Sequence, residues 1–264
     1  MLIQALGLEG ARLISLCGSG GKTTLMFSLA REFIAAGERV LITTTTKMAH
    51  EEMQGWHSVS ATTAAQVLEQ ARSLLPEAGA GRAGGVIAYS RLGREGHRIA
   101  GFAPEIVDSL ARSGRFDRIL VEADGSARKP LKAPAAHEPV IPSSTDALLI
   151  VAGLNGLGLP LSAENLFRPE IWSRLSGLAA GEPVTPESLA QCVAHPEGLA
   201  RGCPEAARRM LFLNQADSLE RRTDAMRVAE CLAGAPECRL ARIVIGWLLP
   251  APAVADVLTC APAG

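Results

Sequence analysis

Near the start of the chain, Gly18-Ser19-Gly20-Gly21-Lys22-Thr23-Thr24 has the residue types and spacing of a phosphate-gripping loop. Its glycines let backbone N–H groups turn inward around phosphate oxygens, and a helix starting at the lysine adds its positive end. Lys22 is placed to neutralise charge on the outer phosphates, and the Thr23 hydroxyl to ligate magnesium. Further along, Phe116 to Gly125 is an apolar run closing on Glu122, Asp124 and Gly125. A carboxylate there can hold magnesium directly or through water, because that hard ion takes oxygen ligands and keeps several waters. The N–H of Gly125 can meet a terminal phosphate and report its loss. Glu122 and Asp124 are both candidates for the metal and for orienting an attacking water; spacing leaves the division between them open. These groups suit slow, magnesium-dependent hydrolysis of GTP or ATP, with Lys22, Glu122 and Asp124 at the reacting phosphate.

Three other stretches bear on the same site. Thr43-Thr44-Thr45-Thr46-Lys47 closes the second apolar run. Open parallel sheets bind ligands beyond the carboxyl ends of their strands, so Thr46 and Lys47 could touch phosphate, magnesium or a second substrate. A threonine-rich strand suited only to a pleated sheet is the alternative. Ser126 to Pro142 holds four prolines, which deny it a regular helix or inner strand. Its Arg128, Lys129, Lys132 and His137 could form a switch, a clamp on an anionic substrate or a partner surface; the alternative is an exposed linker. Leu213-Asn214-Gln215-Ala216-Asp217 resembles the N-K-x-D element of GTPases. There the aspartate accepts hydrogen bonds that only guanine can donate. Asn214 and Asp217 fit, and Gln215 stands where lysine would stack on the base.

Positioning these groups takes alternating strands and helices. Apolar runs at 11–16, 39–44, 85–89, 116–122, 146–151, 210–213 and 242–246 read as strands. Helical patterns cover 25–33, 61–75, 104–113 and 219–232, with Pro76 stopping the second and a Gly/Ala loop over 76–82. Residues 90–101 read as surface loop or edge hairpin. From Gly153 to about Arg208 the chain shifts to helices broken by Gly and Pro, a helical elaboration before the Asn-x-x-Asp strand. Within it Thr185 is the expected N-cap, with Pro186 at the first helical position and Ser188 at the third. His195–Gly198 reads as a turn into a short helix, and the tail after Pro250 as adding little. The expected fold is α/β: one P-loop NTPase domain over 1–264, mostly parallel sheet flanked by helices.

With 26 Lys and Arg against 27 Asp and Glu, formal charge is −1, so nothing points to nucleic acid or an anionic membrane. Arg208-Arg209 and Arg221-Arg222 read as solvated helix faces. No apolar run reaches membrane-spanning length and no leader pattern opens the chain, which gives a cytoplasmic expectation. The six scattered cysteines read as reduced and mostly buried. Cys192, His195 and Cys203 fit no common metal spacing.

Taken together, Gly18–Thr24, Thr43–Lys47, Glu122–Ser126, Pro130–Pro134, His137–Pro142, His195–Gly198 and Leu213–Asp217 resemble the YqeC-like family of selenium-dependent hydroxylase accessory proteins. The resemblance implies a P-loop protein assisting maturation of selenium-dependent molybdenum hydroxylases. Its implied partners are a nucleotide, magnesium, and a molybdenum hydroxylase or its cofactor-maturation proteins. Glu122-Ala123-Asp124-Gly125 also looks like the E-x-x-G switch of nickel-inserting maturation GTPases. The short loop looks like that of Mur-type ligases, which keeps an ATP-dependent ligase or transferase acting on a small anionic substrate in play. A nucleotide-binding module without hydrolysis is a third reading. Paired subunits are common among P-loop relatives, though no residue here demands a dimer.

Overall fold

The computed structural model describes residues 1–75, 83–93, 96–235 and 239–260. Residues 76–82, where a Gly/Ala loop is expected, and Cys238 lie outside these. A nine-stranded sheet runs through the molecule, formed by β1 (Leu13–Gly18), β2 (Arg39–Thr44), β3 (His57–Ser60), β4 (Gly84–Tyr89), β5 (Arg118–Glu122), β6 (Ala147–Gly153), β7 (Arg208–Asn214), β8 (Leu240–Trp247) and β9 (Ala253–Thr259). Their order is β9-β8-β7-β6-β1-β5-β2-β4-β3. Every neighbouring pair is parallel except β8 with β9. All residues of β1, β2 and β6 are buried, as expected where helices cover both faces of a parallel sheet.

Among the described residues seven α-helices do the covering: α1 (Leu2–Leu6), α2 (Lys22–Ala35), α3 (Ala64–Leu74), α4 (Pro104–Arg112), α5 (Pro169–Ser176), α6 (Pro186–Ala194) and α7 (Leu219–Ala233). Successive strand residues face opposite sides, and β1 shows the division. Ile14 and Leu16 join the apolar cluster of α1 and α2. Leu13 joins that of α3 and α4, and Cys17 that of α5, α6 and α7. From β1 the chain works outward on one flank, returns at β5, then crosses to β6 on the other flank. That reversal leaves a crevice beyond the carboxyl ends of the central strands.

Several expectations meet corrections. The tail after Pro250 forms β9, which pairs antiparallel along β8. Turns follow His195–Gly198 in place of a short helix. Arg208 and Arg209 open β7. Residues 91–92 and 98–100 make an edge hairpin, joined by Lys47–Ala49 into a separate three-stranded sheet. The proline-rich segment is no exposed linker. Leu131 and Lys132, both 1% exposed, pair in parallel with Leu166–Phe167. Thr185 caps α6 in a reciprocal box with Ser188, as the spacing predicts.

Candidate functional site

A cleft of about 1000 Å³ opens at the carboxyl ends of β1, β2, β5 and β7, with Gly20–Thr24 on its wall. The glycines of this loop are required by close approach. Gly21 (φ 130°) precedes α2 and abuts Asn214, whose Nδ2 donates to the Gly20 carbonyl at 2.6 Å. Ser19 is turned off the cleft, its hydroxyl donating to the Pro130 carbonyl at 3.1 Å. The Lys22 ammonium reaches across its own loop, donating to the Gly18 carbonyl at 2.6 Å and standing 3.2 Å from Asp124 Oδ1. Burial works to lower the Lys22 pKa, but the charges of Asp124 and Glu122 overcome it and leave it raised. The ammonium is therefore held charged.

Thr23 Oγ1 donates to Glu122 Oε2 at 2.8 Å. Burial pushes the Glu122 carboxyl up, against the pull of Lys22 and Thr23. A second carboxylate, Glu52, faces the same hydroxyl, raised by burial and then by the Glu122 charge. One hydroxyl and two carboxylates crowding each other are a donor set that suits magnesium, which needs only one or two carboxylates beside phosphate and water oxygens. Among the described residues no three His, Cys, Asp or Glu side chains gather as a metal cage, Cys192, His195 and Cys203 included.

Asp124 and Lys132 are brought together elsewhere. Asp124, 1% exposed, accepts from the Gly18 N–H at 3.0 Å and from Lys132 at 2.8 Å. Lys132 also donates to the Gly125 carbonyl at 2.7 Å and to Glu138 at 2.8 Å, and Arg168 donates to Glu138 at 2.6 Å. The result is a buried alternation of charge, Lys22–Asp124–Lys132–Glu138–Arg168, from the loop to the start of α5. Neither Asp124 nor Lys132 borders the cleft. Lys132 is thus not the substrate contact expected of it, because three oxygens saturate its ammonium out of solvent. Asp124 grips the loop from behind, which leaves Glu122 as the expected carboxylate on the cleft side.

Thr46, Lys47, Arg128, Lys129, His137, Gly125 and Asp217 do border the cleft. Arg128 pairs with Glu51 on one rim and Lys129 donates to the Glu164 carbonyl on the other, so residues 125–130 span the opening. Ala127 (φ 49°) and Arg128 (φ 59°) hold consecutive left-handed conformations that side chains rarely adopt. Asp217 accepts from Arg221 at 2.9 Å, one helical turn on. Gln215 turns the other way, its Oε1 accepting from the Asn155 N–H at 3.4 Å. Sequence reasoning passed over Glu52, Arg98, Glu138 and Arg168 as site residues. Only the His137-Glu138 pair gave any signal, since the others lie in stretches without a recognisable spacing.

Opposed carboxylate shifts give a testable pH profile. Burial would raise Glu138, but hydrogen bonds from Arg168 and Lys132 hold it down to about 2. Its contribution is present above the ordinary glutamate range and lost as pH falls toward 2. Glu122, raised, has the opposite sign: its ionisation opposes folding at neutral pH and is relieved on acidification. Stability should therefore climb slightly from neutrality toward the ordinary carboxylate range and then fall. Glu122→Gln should reduce the climb to the part due to Glu52, melt higher than wild type at pH 7, and weaken the magnesium-dependent triphosphate binding proposed below by about tenfold or more. Thermal melts across pH with parallel titrations check both; equal melting temperatures at pH 7 would count against a buried, charged Glu122.

The fold and cleft define an α/β protein with a mostly parallel sheet that gathers its polar groups at the strands' carboxyl ends. No helix among the described residues is long and apolar enough to cross a membrane. The family model described as YqeC protein matches residues 14–170, more than half of the chain. A relative from Escherichia coli (strain K12), described as "Uncharacterized protein YqeC", is 35% identical over 242 residues, covering 92% of this chain and 90% of its own. The chain belongs to the YqeC family.

Proposed function

We propose that the cleft binds a magnesium nucleoside triphosphate, in a P-loop NTPase fold, and hydrolyses it slowly. The supporting observation is the meeting of Gly20–Thr24, Glu122 and Asn214 at one end of the cleft, with Thr23 and Glu122 already hydrogen-bonded. Lys22 and the loop amides hold the phosphates. Thr23 and Glu122, with Glu52 facing them, hold magnesium, which spreads charge on the terminal phosphate. Asp217, once released from Arg221, accepts from the base. Gly125 senses the terminal phosphate, and the strained span behind it changes shape on hydrolysis, an order–disorder switch read by a client. The family resemblance supports the wider role: a cytoplasmic accessory factor in maturation of selenium-dependent molybdenum hydroxylases.

Direct titration of GTP and ATP tests this. Lys22→Ala should cost about 1.5–3 kcal/mol, on the order of 10–100-fold in affinity. Asp217→Ala should erode any preference for GTP while leaving ATP binding within about twofold. Unchanged affinity in Lys22→Ala would mean that the loop does not hold phosphate. Tight binding without phosphate release, with any client, would select the non-hydrolysing module. One observation favours the ligase or transferase reading: Lys47 and Arg98, which border the same cleft, have no ion-pair partner among the described residues.

A further inference from the structure

Across the cleft from the phosphate-gripping loop stands the three-stranded sheet of Lys47–Ala49, Arg98–Ala100 and Arg91–Leu92. Lys47 pairs with Ala100 across the ladder, and Ala49 with Arg98. Opposed residues of an antiparallel pair project to one side, as do residues two apart along a strand. Lys47, Ala49, Arg98 and Ala100 therefore share a face, in a checkerboard of long cations and methyl groups. All four border the cleft. Met48 and Ile99, between them, point the other way and are buried in the core at 2% and 0% exposure, so the face is fixed from behind.

The charges on this face differ from those elsewhere on the wall. Arg128 is matched by Glu51, Arg168 by Glu138 and Arg221 by Asp217. Lys47 and Arg98 make no ion pair or side-chain hydrogen bond with any described residue. With Arg91 opposite Ala100, three cations on this face repel one another, and an anion bridging Lys47 and Arg98 relieves part of that repulsion. The alanines add a flat apolar floor, with no side chain beyond a methyl to obstruct a planar group.

We propose that this face is a second ligand subsite. It takes a phosphate monoester with a planar apolar body: the dianion bridges Lys47 and Arg98, and the body lies on Ala49 and Ala100. That such a ligand faces a bound triphosphate rests on the reading above; the binding itself does not.

Phenyl phosphate is the probe, titrated into the full chain by calorimetry with and without a saturating non-hydrolysable GTP analogue and magnesium. Lys47→Ala and Arg98→Ala should each weaken it by about tenfold. Arg91 pairs with Ala100 on the same face but stands outside the cleft wall, so Arg91→Ala, removing a neighbouring charge and no contact, should weaken phenyl phosphate less than Arg98→Ala does. Benzoate, a monoanion with the same aromatic body, should bind more weakly. Arg98→Gln, which keeps length and polarity, should repeat the Arg98→Ala loss and guards against a folding defect. No binding of phenyl phosphate would overturn the subsite. So would equal losses in Arg91→Ala and Arg98→Ala, or a loss confined to Lys22→Ala. Failure of the nucleotide reading is separate: the analogue would not bind wild type, while the phenyl phosphate comparison would still stand.

Discussion

Lys132→Met should lower the stability of the protein by about 3–5 kcal/mol. That is a large share of the roughly 5–15 kcal/mol by which domains are usually stable. The ammonium lies between Asp124 and Glu138 at 2.8 Å from each and is 0% exposed as a side chain. Methionine fills a similar volume, so the loss is electrostatic and leaves little cavity. Two carboxylates that were bridged would face one another in a dry site. Asp124 keeps Lys22 and Glu138 keeps Arg168, so the protein should still fold, at a lower urea midpoint with an unchanged slope. Adding Glu138→Gln should recover part of the loss, because one of the facing charges is then gone. Lys129→Met, on the rim, should change stability by no more than about 0.5 kcal/mol. If Lys132→Met matched that rim variant, the five-member charge alternation would not be buried as described.

Gly20→Ala should cost about 2–5 kcal/mol from backbone strain and overpacking together. Gly20 sits at φ 80°, and a Cβ there would stand 2.6 Å from the Pro130 carbonyl oxygen, with the Gly153 backbone nearer still. Those neighbours are main chain and cannot rotate away. Gly20 also offers its carbonyl to Asn214. The strain should therefore spread to the end of β7, and the proposed triphosphate binding should fall with stability. Gly37→Ala is the comparison. That glycine has φ 92° but nothing within 4 Å of its Cβ position, so it should show only the conformational cost of about 1–2 kcal/mol. Equal losses in the two variants, by urea unfolding, would show that the loop has room to yield.

Much of the site was legible because its residues are local in sequence. Gly18–Thr24 and Glu122 announce themselves by type, and apolar runs with fixed burial define their strands. Asp124 and Lys132 were legible as charged groups but not in their roles. Only the fold shows that both turn away from the cleft to satisfy each other. Glu52 and Arg98 belong to segments 46 residues apart along the chain, and long-range strand pairing brings them to one wall. The tail was misjudged because Ala and Pro dominate its start. The alternating Val254, Asp256 and Leu258 that follow suit an edge strand, whose pattern is weak when one side meets solvent.

That last strand has a consequence for how molecules meet in concentrated solution. Without Ala253–Thr259, the eight residues of β8 would present an open row of main-chain donors and acceptors, a template for stacking one sheet onto the next. β9 occupies that row and becomes the edge itself, seven residues long, with a register shift along β8 and an exposed Asp256 at its middle; the opposite margin is the four-residue β3. Shortened forms of the protein should keep these residues, because they replace a longer, regular edge with one broken by a bulge and a charge, a poorer template for a second copy.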